Sequence, residues 1–218
     1  MNRIVTYFKK LPPKEATKFL IIFYIVGISG FLLPQTRNLF ELLIPFSLCI
    51  NLFMLFIFHK PFDNKHLLFF GGVVVLTFSI EALGVKTGVV FGEYFYGKSL
   101  SLKIFETPLL IGFNWLMLTY GVVQLLRINI HTRKYTIILG AIMLTGFDFI
   151  MEPVAMKTDM WSWMFNQIPL QNYIVWFLVS AVVISGFELF QIKTENKIAG
   201  RIFILQVIFF AALNLFLK

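Results

Sequence analysis

Long apolar runs separated by short polar segments set the rhythm of this chain. Seven of them, at about 18–33, 38–58, 67–85, 108–126, 135–152, 173–190 and 201–217, approach or reach the roughly 20 residues that cross a hydrocarbon core about 30 Å thick at about 1.5 Å per residue. The pattern predicts an all-α fold: a polytopic membrane helix bundle of about seven transmembrane helices. The first run is short and holds Gly27 and Gly30. No segment repeats, none is of low complexity, and no linker is long enough to separate domains, so residues 1–218 read as a single membrane domain.

Between the third and fourth runs the rhythm changes. The stretch EALGVKTGVVFGEYFYGKSLSLKIFETP, residues 81–108, carries Gly84, Gly88, Gly92 and Gly97, and its SLSLKIFE portion alternates polar and apolar residues with the period of a strand. With GKS as turn material, residues 89–106 predict a short β-hairpin or re-entrant lid. Non-helical backbone at membrane depth needs protein or water to satisfy it, which favours a lid over the bundle mouth. A second aromatic connection, VAMKTDMWSWMFNQIPLQN at 154–172, brings Trp161 and Trp163; tryptophans near an interface also build the aromatic belt.

Composition agrees with a membrane chain: 58% of the 218 residues are hydrophobic and 14% charged, more apolar surface than one soluble core buries. The net charge of +8 acquires meaning from its distribution. With seven spans, 13 of the 19 lysines and arginines fall on the side of the N-terminus: Arg3, Lys9, Lys10, Lys14, Lys18, Lys60, Lys65, Arg127, Arg133, Lys134, Lys193, Lys197 and Arg201. Arg37, Lys86, Lys98, Lys103, Lys157 and Lys218 fall on the other. The positive-inside rule then predicts a multi-pass protein of the cell membrane, N-terminus cytoplasmic and C-terminus outside. Basic loops that orient the chain among membrane lipid need no nucleic acid. A cleavable signal peptide is not expected, and the lone Cys49, within an apolar run, excludes a disulfide framework.

This topology brings polar residues of four spans to one depth near the outer face. Glu81 closes the third span, Asn114 and Trp115 open the fourth, Asp148 and Glu152 close the fifth, and Asn172 and Trp176 open the sixth. Ionisable residues within spans cost a few kcal/mol and usually face a bundle interior or cavity, marking functional sites. Asp148 and Glu152, at i and i+4, share a helix face, and Pro153 is expected to discourage the helix from continuing. Two close carboxyls in a poorly solvated site do not both ionise, so the pair is expected to retain a proton, which is a general acid. The structural alternative has Glu152 reaching the interface and Asp148 bonding a neighbouring helix.

Residues 81–176 resemble the membrane carotenoid-biosynthesis proteins that include the carotenoid hydratases of cyanobacteria and haloarchaea. The likeness rests on EALGVKTGVVFGEYFYG, TPLLIGFNW, DFIMEPVA followed by WSW, and IPLQNYIVW, in this order and spacing. Ile168 stands before Pro169 where the family pattern has a glycine. The resemblance implies a carotenoid 1,2-hydratase: water added to the terminal double bond of an acyclic (ψ) end group, giving a tertiary alcohol without a cofactor. The residues suit that chemistry, since a trisubstituted alkene is protonated at carbon only by an acid held neutral. Asp148 or Glu152 is the candidate acid, Asp148 ranking first as the deeper. Glu81, with Asn114 or Asn172, is the candidate to hold and deprotonate water, and Trp115, Trp161, Trp163, Trp176, Tyr94 and Tyr96 are candidates to line the substrate site, where aromatic faces steady a cation.

Two alternatives remain: a proton-initiated carotenoid (lycopene) cyclase, and a membrane transporter or ion pathway suggested by intramembrane acids alone. No metal site is expected, because His59, His66 and His131 sit in basic loops and read as solvated. Glu188 reads as reaching the inner interface and Asn51 as an interhelical hydrogen-bond partner. Neither a nucleotide-binding fingerprint nor a histidine box is visible. The chain before about residue 60 and after about 190 adds little beyond hydrophobicity.

Overall fold

A computed structural model describes residues 12–100 and 102–217. Arg3, Lys9, Lys10 and Lys218 of the charge count lie outside them, as do both chain ends. The helices are α1 (Pro13–Leu32), α2 (Arg37–Leu42), α3 (Ile44–Ile57), α4 (Asn64–Thr87), α5 (Leu110–Leu126), α6 (Arg133–Lys157), α7 (Leu170–Leu189) and α8 (Lys197–Phe216). Four short strands are β1 (Tyr94–Tyr96), β2 (Lys103–Ile104), β3 (Thr107–Pro108) and β4 (Trp161–Trp163). The chain is a polytopic helical bundle. Among the described residues, five helices, α1, α4, α6, α7 and α8, are long and apolar enough to cross a membrane.

The second apolar run is not one span but a pair of helices, α2 and α3, that meet at Leu43. Pro45, in the first turn of α3, has no N–H to offer the preceding turn, so a continuous helix loses a bond there. α3 has 14 residues and α5 has 17, about 21 and 25 Å long by helix rise.

α5 lies at the centre, packed on α3, α4, α6, α7 and α8. Its buried residues include the unbroken stretch from Trp115 to Val123, as expected of a helix apolar all round. Its tight contact with α8 needs a small residue: a Cβ on Gly121 would stand 2.9 Å from both the Ala199 carbonyl oxygen and the Phe203 Cβ. Around this axis α6 packs on α7 and α8, and α1 on α8.

The helix carrying Asp148 and Glu152 does not stop at Pro153. α6 runs to Lys157 with Pro153 inside it, because proline's φ suits a helix and only one backbone bond is forfeited. The following turn is held by Thr158, whose amide and hydroxyl donate to the Val154 carbonyl at 3.0 and 2.8 Å, and by Lys157 Nζ, 2.7 Å from the Leu217 carbonyl.

The lid is also wired differently from a single hairpin over 89–106. β1 pairs antiparallel with β4, more than sixty residues away, in the register Tyr94–Trp163, Phe95–Ser162 and Tyr96–Trp161. A separate hairpin pairs β2 with β3 through Phe105 and Glu106, both at positive φ as a two-residue hairpin turn requires. Sequence alternation marks a strand but not its partner. Past β1, Gly97, Lys98 and Ser99 bind the Thr158–Met160 backbone and Asp159 carboxylate. A Cβ on Gly97 would collide with the Asp159 carbonyl. Gly97→Ala is therefore expected to destabilise the lid by about 1–3 kcal/mol, read as a melting temperature in detergent lowered by roughly 2–4 °C per kcal/mol; an unchanged melting curve would count against this close approach.

Candidate functional site

The lid ladder aims alternate side chains at the bundle. Tyr94 and Tyr96 from β1, and Trp161 and Trp163 from β4, are buried beneath it, while Phe95 is 57% exposed on the other face. The outer-end polar residues lie directly below. Asp148 and Glu152 of α6, Glu81 of α4, Asn172 and Trp176 of α7 and Asn114 of α5 surround a polar cavity of about 30 Å³ with the four lid aromatics, Phe91, Ile111 and Met151. A water needs roughly 10–15 Å³ by this kind of measure, so the hollow has room for about two.

The three acids differ in how they are satisfied. Glu81 Oε2 accepts from the hydroxyls of Tyr94 at 2.6 Å and Tyr96 at 2.9 Å, and its Oε1 from the Trp115 indole at 2.8 Å. Burial, and then the Glu81 carboxyl, pushes both phenols well above their ordinary range, so they stay donors. Glu152 Oε2 accepts from the indoles of Trp161 at 2.9 Å and Trp163 at 2.7 Å. The Asn172 amide nitrogen bridges the pair, 2.7 Å from Asp148 Oδ2 and 3.3 Å from Glu152 Oε1. Asp148 Oδ1 alone among these carboxyl oxygens is buried with no partner. An indole N–H can only donate, so the oxygens facing tryptophan are fixed as acceptors.

Every candidate residue at the outer ends is brought together. Trp115 sits just behind the cavity, bonded to Glu81 and stacked on Trp176 with ring centroids 4.1 Å apart. Trp161 and Trp163, 8% and 4% exposed, are carboxylate donors and not belt residues. Asp148 and Glu152, 0% and 1% exposed, face this shared hollow, so the reading of Glu152 as an interfacial acid is set aside.

A second, apolar cavity of about 270 Å³ adjoins the first, and Ile111, Asn114, Met151 and Trp161 line both. Its remaining walls come mostly from α1, α2, α3 and α8, with Phe23, Phe31, Phe40, Phe209 and Phe210 prominent. These are the chain ends that hydropathy alone left mute. A usable signal was present in the single polar residues Tyr24, Asn51 and Gln206, each within an apolar run. Asn51 does bridge helices, accepting from the Tyr24 hydroxyl at 3.0 Å.

Other readings change at the opposite end of the bundle. His59 and His66 are buried, not solvated: His59 Nδ1 lies 2.8 Å from the Tyr120 hydroxyl, His66 Nδ1 2.6 Å from Asp63 Oδ1, and their rings are 5.0 Å apart. Burial, and then His66, lowers the His59 pKa to about 4. The sequence had placed them by their basic neighbours, whereas the loop folds them under Phe62 and Phe70. His131 is exposed. Glu188 turns inward to pair with Arg127 at 2.9 Å instead of reaching the interface.

The comparisons with known proteins converge on the same class. Residues 40–218 match the family described as carotenoid biosynthesis protein, and the chain belongs to that family of membrane proteins. A particular relative is the bisanhydrobacterioruberin hydratase of Haloarcula japonica, 26% identical over 192 residues, covering 77% of this chain and 62% of that protein. The chain thus spans under two thirds of that relative's length. No solved structure matches it.

Proposed function

We propose that the protein is a carotenoid hydratase that adds water across the terminal 1,2 double bond of an acyclic end group. One observation carries this reading: Asp148 Oδ1 is buried without a partner in a polar hollow that shares Ile111, Asn114, Met151 and Trp161 with an adjoining apolar chamber. Among the described residues no lysine, arginine or histidine lines the hollow, so three ionised carboxyls there would lack a countercharge, a costly arrangement. Glu81 and Glu152 each accept from three donors, which favours their ionised forms. The proton then resides on Asp148, whose free oxygen can deliver it.

In this mechanism the chamber receives one tip of the polyene and Asp148 transfers its proton to the less substituted alkene carbon. The π pair forms the new C–H bond, leaving a tertiary carbocation and an Asp148 carboxylate. The anions of Glu81 and Glu152 and the faces of the neighbouring aromatics stabilise the cation. Water in the hollow gives its lone pair to the cation and loses a proton to Glu81, whose Oε1 has a single donor and a lone pair to spare. Transfer of that proton back to Asp148 closes the cycle, with alkene and water consumed and a tertiary alcohol formed. Asn172 positions the acid pair.

The test is expression in cells that make lycopene, followed by mass analysis of the pigments. A product heavier by one water, with the added oxygen drawn from labelled water, is the expected result. An altered pigment of unchanged mass would assign cyclisation instead, and solute flux in proteoliposomes without pigment conversion would assign transport.

A further inference from the structure

The apolar chamber is closed toward the loops and open toward the bilayer. On the loop side stand the hollow and the four lid aromatics, each hydrogen-bonded to a carboxylate, so a guest entering there would have to break the β1–β4 ladder and uncage both acids. Three residues of the chamber wall are instead exposed on the outside of the bundle: Val26 of α1 at 52%, Leu43 at the α2–α3 joint at 39%, and Phe46 of α3 at 60%. They mark a seam. α1 packs on α2 and α8, and α3 on α5 and α8, but among the described residues α1 and α3 share no extended packing. The break in the second apolar run leaves a joint at this wall and not a continuous span. Further from the joint, the Tyr24 hydroxyl donates to Asn51 Oδ1 at 3.0 Å and ties the two helices together. Among the described residues no lysine, arginine, aspartate or glutamate lines the chamber, so the opening suits hydrocarbon and not a charged headgroup.

We propose that the seam between α1 and α3 is a lateral portal for a membrane-dissolved polyene. The end group passes sideways out of the lipid into the chamber, while the rest of the chain stays in the seam against Val26, Leu43 and Phe46 and runs on into the bilayer. The inference rests on the hydratase reading for the identity of that end group. Size supports a partial guest: at about 270 Å³ the chamber falls short of the roughly 300–1,000 Å³ that encloses a drug-sized ligand. It holds one end of a chain long enough to cross a bilayer, and not the whole. Solvation favours the same route, since side entry exchanges lipid for apolar side chains, whereas entry through the loops carries hydrocarbon across water. The site then selects its substrate by the end group and is indifferent to chain length beyond the seam.

The test uses the intact protein in nanodiscs and a C20 acyclic isoprenoid hydrocarbon with an isopropylidene end and a diazirine midway along, its crosslinks mapped by mass spectrometry. Labels at residues 23–27 and 43–47, reduced by excess unlabelled lycopene, are the expected result. Labels on the lid segments 89–109 or 158–169 would overturn the proposal, as would seam labels that lycopene does not displace, which signify ordinary contact with lipid. Gly27 lines the chamber, and a Cβ there would stand 3.2 Å from the Phe209 ring, so Gly27→Leu narrows the passage and should lower seam labelling about tenfold. Gly72→Leu, on an exposed turn of α4 where a Cβ meets nothing within 4 Å, should leave it unchanged. Undiminished labelling in Gly27→Leu, or an equal loss in both variants, would also count against the portal. If Gly27→Leu does not fold, the label positions in the unaltered protein decide alone. Displaceable seam labels without water addition to lycopene would remove the hydratase reading and leave the portal standing; water addition with labels on the lid would do the reverse.

Discussion

Asp148→Asn is expected to reduce water addition by about 10²–10⁴-fold, the usual contribution of a positioned general acid, while the protein folds normally. The side chain keeps its shape, and its amide oxygen can still accept from Asn172 at the place of Oδ2. What disappears is a proton acidic enough to pass to carbon. Glu152→Gln should be milder, because the amide oxygen can remain against Trp161 and Trp163, and the losses are the negative charge and the long 3.3 Å bond from Asn172. Pigment conversion in membranes, normalised to folded protein, separates the two. Activity in Asp148→Asn within a few-fold of the unaltered protein would transfer the acid's role elsewhere.

Glu81→Gln is expected to damage both fold and chemistry. Three buried donors converge on this carboxylate. If the glutamine oxygen faces the phenols, its NH₂ meets the Trp115 indole, which can only donate. If it faces Trp115, the two phenol protons lose their acceptor. Either way a buried donor is stranded at about 1–3 kcal/mol, more where the lost partner was charged. A lower melting temperature should accompany a loss of conversion of about 10²-fold or more, since the variant lacks both a preorganised anion and the water's proton acceptor. A fully active variant would show that Glu81 anchors the lid and nothing else.

Hydropathy made the helices legible because lipid leaves the backbone few choices, and the acid cluster was legible because charge inside a span needs a reason. Residues of four spans proposed from depth alone do share one hollow. What stayed hidden depended on packing. Nothing local tells β1 that its partner is β4, because period-two alternation sets a face and not a neighbour. The chamber escaped because Tyr24, Asn51 and Gln206 are spread over three runs and meet only once α1, α3 and α8 are assembled. His59 and His66 were misplaced because surrounding lysines describe a loop's solvent side and not where its rings turn.

The three-residue ladder between the two outer loops has a consequence for how this protein can vary. One of its strands furnishes the phenols that cage Glu81 and the other the indoles that cage Glu152. A slip of one position in β1 would send both phenols to the far side, and one in β4 both indoles. Insertions and deletions within either strand therefore obey parity: an odd change in length uncages the acid that strand serves, whereas an even one can be absorbed with the inward set intact.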